Sequence, residues 1–330
     1  MRVLLSRTDL LGDAIVTSAF IETLKKTIPN LILDVLCHEH NLPAFRYHPL
    51  VNDIYVLDHQ QGTKKAASNY HEIVTKINSK CSYDLILQLN GCIRTYKYIS
   101  KISSRQIIAR RLITKSVSSR LWIARKKLSG KFMFFNENLK QHEVIRLHQF
   151  LDFILAHLGI NALYSIPEYA KFYPEPDFSK PDFIPRSIII NASGKKDAAR
   201  YINDSLLYSL LSFFQQENLS NLAVIVLPED RQRVISILID LSLDKIVQII
   251  CIPDLYQLAK VISRYEVFIS ADGGLVHIAA GLGVRCVSIF NNYTESLIWY
   301  PWTTKQKTLS SERSNIYDVS YKEVLAATRI

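Results

Sequence analysis

No run of apolar residues in this chain approaches the eighteen or so that a membrane span needs. The opening stretch MRVLLSRTDLLGDAIV also lacks a signal-peptide layout: Arg7 and Asp9 interrupt its apolar part, and no small-residue cleavage site follows. A soluble, cytosolic protein is therefore expected. Cysteine is sparse. Cys37, Cys81, Cys92, Cys251 and Cys286 are odd in number, scattered and without a C-x-x-C pair, which argues against a zinc site or a disulfide framework and for reduced core residues. Neither D-x-D nor H-E-x-x-H occurs, nor a compact His/Cys/Asp cluster, so no metal site is expected. The first loop offers Gly12 alone where a dinucleotide site wants G-x-G-x-x-G, which disfavours an NAD-dependent oxidoreductase. The P-loop pattern G-x-x-x-x-G-K-[ST] is missing too, which disfavours a nucleotide kinase or ATPase.

What is present is a globular composition. The chain has 330 residues, 48% of them hydrophobic and 21% charged, enough for two domains with their own cores. The net charge is +10 and unevenly placed. Between residues 94 and 131 lie Arg94, Lys97, Lys101, Arg105, Arg110, Arg111, Lys115, Arg120, Arg125, Lys126, Lys127 and Lys131, with no Asp or Glu among them. A solvated helical face usually mixes signs, so a single-sign block suggests an anionic partner: nucleic acid, an anionic membrane surface or a phosphorylated glycolipid. Charge alone does not choose among them.

Short β-branched runs alternate with helical patterns. RVLLS (2–6) reads as a strand, followed by the loop RTDLLGD and a helix from Ala14 to Thr27 that Pro29 ends. LILDVLC (31–37), IYVLD (54–58) and DLILQL (84–89) read as strands, with a helical stretch around residues 64–79. The basic block is expected to form loops and helices at the carboxyl edge of this sheet. Residues 138–159 read as one amphipathic helix ended by Gly159, followed by a linker rich in proline: Pro167, Pro174, Pro176, Pro181 and Pro185. A second α/β series runs through SIIINAS (187–193), LAVIVLP (222–228) and VQIICI (247–252), and SYKEVLAATRI reads as a last helix. The expected architecture is two Rossmann-like α/β domains, residues 1–170 and 171–330, with parallel sheets facing across a cleft. The last helix is expected to be able to pack back on the first domain.

The most informative stretch is RYEVFISADGGLVHIAAGLGVRCVSIF (264–290): a strand, the turn Asp272-Gly273-Gly274, a helix of small residues, then a second strand. The glycines permit unusual backbone angles and close approach of a ligand to the main chain. The unpaired N–H groups and positive end of the helix dipole suit a phosphate or diphosphate. Asp272 and His277 stand where both can face such a ligand. The same residues also fit an ordinary turn and a core histidine, and spacing leaves both readings open.

Three further loops carry candidates. Asp13, at the mouth of the first strand–helix loop, suits a general base for a hydroxyl nucleophile, or a cap for the helix from Ala14. Lys195, Lys196 and Arg200, in NASGKKDAAR, suit neutralisation of a diphosphate, or simple solvation. Glu229 and Asp230 suit sugar or ribose hydroxyls, or a helix start.

Together these loops resemble the lipopolysaccharide heptosyltransferases of glycosyltransferase family nine. RVLLSRTDLLGDAIVTSAFIETLKKTIPN is similar to the family's N-terminal loop and first helix, with Gly12-Asp13 at its Gly-Asp pair. SADGGLVHIAAGLGVRCVSIFNNYTESLIWYPW resembles its D-[TSG]-G-x-x-H-x-A block and trailing tryptophan-proline segment, and IIINASGKKDAARYI its strand and loop near the donor phosphates. The chain departs from the family in the last: where a Lys-Arg-Trp run is usual, Ala199, Arg200 and Tyr201 stand here, and the lysine is displaced to Lys195 or Lys196 or replaced by Arg200.

The resemblance implies a GT-B fold and an inverting, metal-free glycosyl transfer with no cofactor beyond a sugar-nucleotide donor, ADP-heptose above all. It implies Asp13 as catalytic base and donor-binding by Lys195, Lys196, Arg200, Glu229, Asp272, Gly273, Gly274 and His277. It implies an anionic lipid A–Kdo acceptor held by Gly12, Arg94, Lys97 and Arg120, at the cytoplasmic face of the inner membrane. One rival is a transferase of the same fold with another sugar nucleotide or acceptor. A second is a nucleic-acid-binding protein stacking bases on Tyr96, Tyr98 and Trp122 among the cations. The family reading expects no nucleic acid. A third, a sugar-nucleotide epimerase, would need acid–base residues on both faces of the sugar, which the sequence does not show clearly.

Overall fold

The computed structural model describes residues 1–58, 69–90, 93–110, 116–198, 200–219, 221–311 and 319–328. The chain divides into two compact units, Met1–Pro167 and Glu168–Ile330.

The first unit runs β1 (Arg2–Ser6), α1 (Leu11–Thr27), β2 (Ile32–His38), β3 (Ile54–Leu57), α2 (Tyr70–Lys80), β4 (Tyr83–Gln88), α3 (Ile93–Ile99), β5 (Ser104–Arg110), α4 (Val117–Leu128), β6 (Phe132–Phe135) and α5 (Glu143–His157). Its six strands are ordered β3-β2-β1-β4-β5-β6, and every pairing is parallel. Val3 lies opposite both Leu33 and Leu85, so β1 is buried on both sides and reads as a continuous apolar run. Helix α1 begins three residues earlier than the pattern of apolar residues suggests. Gly12 and Asp13 therefore belong to its first turn, not to the loop before it.

The second unit repeats the plan: β7 (Ile184–Asn191), α6 (Asp204–Gln216), β8 (Asn221–Ile225), α7 (Arg231–Asp240), β9 (Gln248–Ile250), α8 (Leu255–Ile262), β10 (Tyr265–Ala271), α9 (Gly274–Gly281), β11 (Arg285–Phe290), α10 (Tyr293–Trp299), β12 (Gln306–Ser310) and α11 (Tyr321–Thr328). The order β12-β11-β10-β7-β8-β9 is again all parallel. Read outward from its first strand it is the order of the first sheet. Each sheet therefore has one switch point, between β1 and β4 and between β7 and β10, where neighbouring connections leave in opposite directions and open a crevice at the strands' carboxyl ends.

The structure refines three expectations. The basic block is not all loop and helix: its middle forms β5, because Ile107, Ile108 and Ala109 make a buried apolar run between the cations. The last helix packs in the second unit, where Val324, Leu325 and Ala327 join the core with Leu207 and Leu210 of α6. The proline-rich stretch is more than a linker. After Pro167 it straps the second unit: the Ala170 N–H donates to the Trp302 carbonyl at 3.0 Å and the Phe172 N–H to the Gly281 carbonyl at 3.2 Å, with Phe172 buried. Cys37 and Cys286 are buried, and Cys81 and Cys251 pack against the two cores. Cys92 and residues 64–68 of the expected helix lie outside the described residues.

Gly281 lets the strap lie so close, since a Cβ there would stand 2.7 Å from the Phe172 nitrogen. Gly281→Ala should therefore lower the unfolding free energy by about 1–3 kcal/mol, the usual cost of overpacking a tight site. Denaturant unfolding checks it; a variant as stable as the parent would show that the strap yields freely.

Candidate active site

In the first unit, the loop after β1 ends in the first turn of α1. The Leu10 N–H donates to Asp13 Oδ2 at 3.0 Å, so Asp13 does cap its helix, through the N-cap backbone rather than from outside. Its other oxygen faces Arg7, with Oδ1 3.8 Å from the guanidinium. The Asp13 side chain keeps 14% exposure, while that of Arg7 keeps 1%.

Arg7 draws three segments together. Its Nε stands 2.9 Å from Asp9 Oδ1, and its Nη1 donates to Glu143 Oε1, at the start of α5, at 3.0 Å. Glu143 also accepts from Arg110 of β5, at 2.5 and 2.9 Å, and pairs with Arg146 at 3.0 Å. Glu137 joins Arg110 and Arg146 from the segment before α5. Burial pushes Asp13 up to about 7, reinforced by the charge of Asp9 and opposed by Arg7. Asp9 is also raised by burial, against the pull of Arg7. Burial works the same way on Glu143, but Arg110, Arg7 and Arg146 outweigh it and hold this carboxyl at about 2.

The acceptor candidates divide. Arg94, half-buried on α3, is next to Thr95, whose hydroxyl lies 3.1 Å from that of Thr8 in the Asp13 loop. Lys97 is exposed farther along α3, and Arg120 is exposed on α4, which leads to the edge strand β6. Arg110, which the sequence places in a free basic block, is spent internally on Glu137 and Glu143. Arg111 and Lys115 lie outside the described residues. The aromatic residues of the block are not a base-stacking platform. Tyr96 is fully buried, Tyr98 is buried and stacks on Tyr70 at 4.0 Å, and Trp122 packs on Tyr96 and Phe132.

In the second unit, the turn after β10 meets the loop after β7. Arg200 lies 3.2 Å from Asp272 Oδ2 and donates to Glu295 of α10 at 2.9 Å. That loop folds on itself: the Arg200 N–H donates to the Lys195 carbonyl, and a Cβ on Gly194 would stand 1.9 Å from the Arg200 oxygen. The glycine of the Ser-Gly-Lys triplet therefore serves this tight loop. Lys196 pairs with buried Asp230 at 2.6 Å, and although burial raises the Asp230 pKa, Lys196, Ser193 and Arg233 together bring it below its ordinary value. Glu229 and Lys195 are exposed, and His277 is buried in α9.

Gly273 does not need glycine's conformational freedom. Its φ of 167° is ordinary extended backbone. What it offers is space, since a Cβ there would meet no atom within 4 Å. The main chain at the start of α9 is thus open to a ligand, with Gly274 as the first helical residue. Among the described residues no group of three or more His, Cys, Asp or Glu is placed to hold a metal ion.

Sequence reasoning passed over Arg7, Asp9, Glu137, Glu143, Arg146 and Glu295. The nearest signal was the charged pair Arg7 and Asp9 within an otherwise apolar opening. Nothing in spacing joins them to Glu143, which lies 136 residues away from Arg7.

Two α/β units with parallel six-stranded sheets of the same strand order make up the GT-B fold. Residues 141–328 match glycosyltransferase family 9 (heptosyltransferase), and the chain belongs to this family. A family 9 glycosyl transferase from Veillonella parvula superposes with TM-score 0.79 at 17% identity, over 99% of this chain and 95% of that one. The Escherichia coli heptosyltransferase WaaC, with ADP, superposes with TM-score 0.74 at 14% identity, over 99% of this chain and 98% of that one. Among curated proteins, the E. coli lipopolysaccharide heptosyltransferase 3 is 31% identical over 80 residues, which are 24% of this chain and 23% of that relative.

The folded-state pKa of Asp13, about 7, stands above an unfolded value of about 4. Its contribution to stability is therefore complete below about 4 and is lost as pH rises through about 7. Asp13→Asn should gain stability over the parent progressively across that window and hold a constant advantage above it. Unfolding free energies measured from pH 4 to 9 check this, and a pH-independent difference would refute it.

Proposed function

We propose that this enzyme transfers heptose from ADP-heptose to a Kdo or heptose hydroxyl of the lipopolysaccharide inner core, with inversion and without a metal ion. The observation that carries the mechanism is Asp13: a half-capped carboxylate at a sheet switch point, raised to about 7 and so poised to take a proton near neutral pH. Asp13 accepts the proton of the acceptor hydroxyl while its oxygen bonds to the anomeric carbon. The bond from that carbon to the diphosphate breaks on the opposite face, and the electron pair leaves with the nucleoside diphosphate.

The second unit is the donor side in this reading. The opening above Gly273 admits the diphosphate to the N-terminal amides of α9, with Arg200, Lys195 and Lys196 as nearby cations. Asp272, Glu229 and His277 are the remaining donor candidates. The ADP in the E. coli WaaC structure, and the ADP-2-deoxy-2-fluoro heptose in another, support ADP-heptose as the donor. The name of the curated relative supports a lipopolysaccharide acceptor. Arg94, Lys97, Arg120 and Gly12 are proposed to face that acceptor.

The proposed location is the cytoplasmic face of the inner membrane, reached by peripheral contact. Among the described residues no helix is long and apolar enough to cross a membrane. Helix α4 instead has two faces. Trp122 packs inward, while Val117, Leu121 and Leu128 are 68%, 57% and 88% exposed. These three fall within about 40° of one another by the helical period, with Arg120 and Lys127 on one margin and Arg125 on the other. Apolar side chains flanked by cations suit a helix lying in the plane of an anionic bilayer, where each Lys or Arg contributes about 1 kcal/mol.

Thermal-shift titration without added metal should show stabilisation by ADP and none of comparable size by UDP, GDP or CDP. Stabilisation by UDP or GDP alone would replace the donor. Stabilisation by none of them, together with no turnover of ADP-heptose, would remove the transferase reading. Asp13→Asn should lower kcat by about a hundredfold or more while leaving the ADP response intact, and parent-like turnover would leave Asp13 as a cap only.

For the membrane contact, the protein should co-sediment with vesicles containing one-third phosphatidylglycerol but not with pure phosphatidylcholine. The double variant Leu121→Glu and Leu128→Glu should lose this binding and keep its ADP response. Undiminished binding by that variant would assign the contact elsewhere.

A further inference from the structure

The buried cluster around Arg7 is unbalanced. Among the described residues, three guanidiniums, Arg7, Arg110 and Arg146, face four carboxylates, Asp9, Asp13, Glu137 and Glu143. With every group ionised, one negative charge is left over, in a place that excludes most water. We propose that Glu143 is a positioning residue whose charge creates this excess, so that the cluster becomes electroneutral when Asp13 accepts one proton. The proposal deepens the reading of Asp13 as the base and rests on it.

Geometry decides which carboxylate takes the proton. Glu143 touches all three guanidiniums, at 3.0, 2.5 and 3.0 Å. Glu137 is shared by Arg110 and Arg146, and Asp9 stands 2.9 Å from Arg7. Asp13 has the loosest hold, 3.8 Å from Arg7. Protonating it costs the least attraction. Among the described residues, two imidazoles also stand beside the cluster. His40 Nε2 meets the Asp9 carbonyl oxygen, and His142 at the N-cap of α5 accepts the Val144 N–H on Nδ1. Glu143 does not touch the reacting atoms in this account. It holds Arg7 in place and supplies the negative charge that makes a proton welcome one residue farther on.

A purely structural role for Glu143 predicts something different. Burying the pairs would then stabilise one arrangement of α5, β5 and the β1 loop, and removing Glu143 would lower stability without moving any titration. The two roles separate in the protonation of Asp13, which can be read without turnover. In protein labelled with carboxyl carbon-13 aspartate, the Asp13 signal is the one missing from Asp13→Asn. Its midpoint in the parent should lie near neutrality. In Glu143→Gln it should fall by about one to two pH units, as expected for loss of a nearby like charge. Glu143→Asp, which restores the charge, should return the midpoint most of the way.

Asp9→Asn removes one negative charge from the same count at a more exposed position than Glu143 and should shift the midpoint in the same direction, so the test survives a Glu143→Gln that fails to fold. With ADP-heptose turnover in hand, the rising limb of kcat/KM against pH should move with the midpoint. A parent midpoint in the ordinary carboxylate range, or a midpoint unmoved by both Glu143→Gln and Asp9→Asn, overturns the proposal. An enzyme that does not turn over ADP-heptose but whose Asp13 shifts as described keeps the charge count and loses only the reaction assigned to it.

Discussion

Glu143 is the fixed point of the first unit. One carboxylate receives guanidiniums from the loop after β1, from the end of β5 and from its own helix. Arginine suits this use because its planar fork offers several donors in a set geometry. Burying so many charges brings little net stability, since desolvation offsets most of the attraction, but removing one partner from such a site typically costs about 3–5 kcal/mol. The cluster therefore specifies an arrangement more than it stabilises one. That arrangement holds the Asp13 loop where the sheet order reverses.

The second unit meets charge in another way. Two of its cations are already paired at the sheet edge: Arg200 with Asp272 and Glu295, and Lys196 with Asp230. Any anion arriving there exchanges partners with acids that are in place, so discrimination among anions comes from geometry as much as from charge. The open main chain above Gly273 is the uncommitted part of this edge. In both units the groups of interest stand at the same topological place, the carboxyl ends beside the first strand. Repetition of one strand order thus places two differently charged sheet edges at equivalent positions.

Much of the fold was legible along the chain. RVLLS, DLILQL, SIIIN and EVFIS became strands because parallel strands buried on both faces need uninterrupted apolar runs. The segment SRQIIAR was harder to see: its apolar core is only three residues long, and the flanking cations made it look like part of a solvated block. Tyr96 and Tyr98 misled for a related reason. Aromatics among lysines resemble a stacking surface in one dimension, whereas on α3 they turn inward and leave Lys97 outside. The turn at Asp272-Gly273-Gly274 was visible at once, though its glycine serves open space rather than a left-handed backbone.

The sequence by itself determined the alternation of strands and helices in two α/β series, the helix N-terminus after β10 and an acid at the start of α1, because these follow from local periodicity and residue type. Only the tertiary structure decided which charges remain available. Arg110 looks like one cation in a run of twelve until the sheet carries it beside Glu137 and Glu143. The protonation of Asp13 depends likewise on Arg7, Asp9 and a glutamate from a distant helix. Coulomb interactions act through space and strengthen as water is excluded, so their outcome is set by packing and not by neighbourhood along the chain.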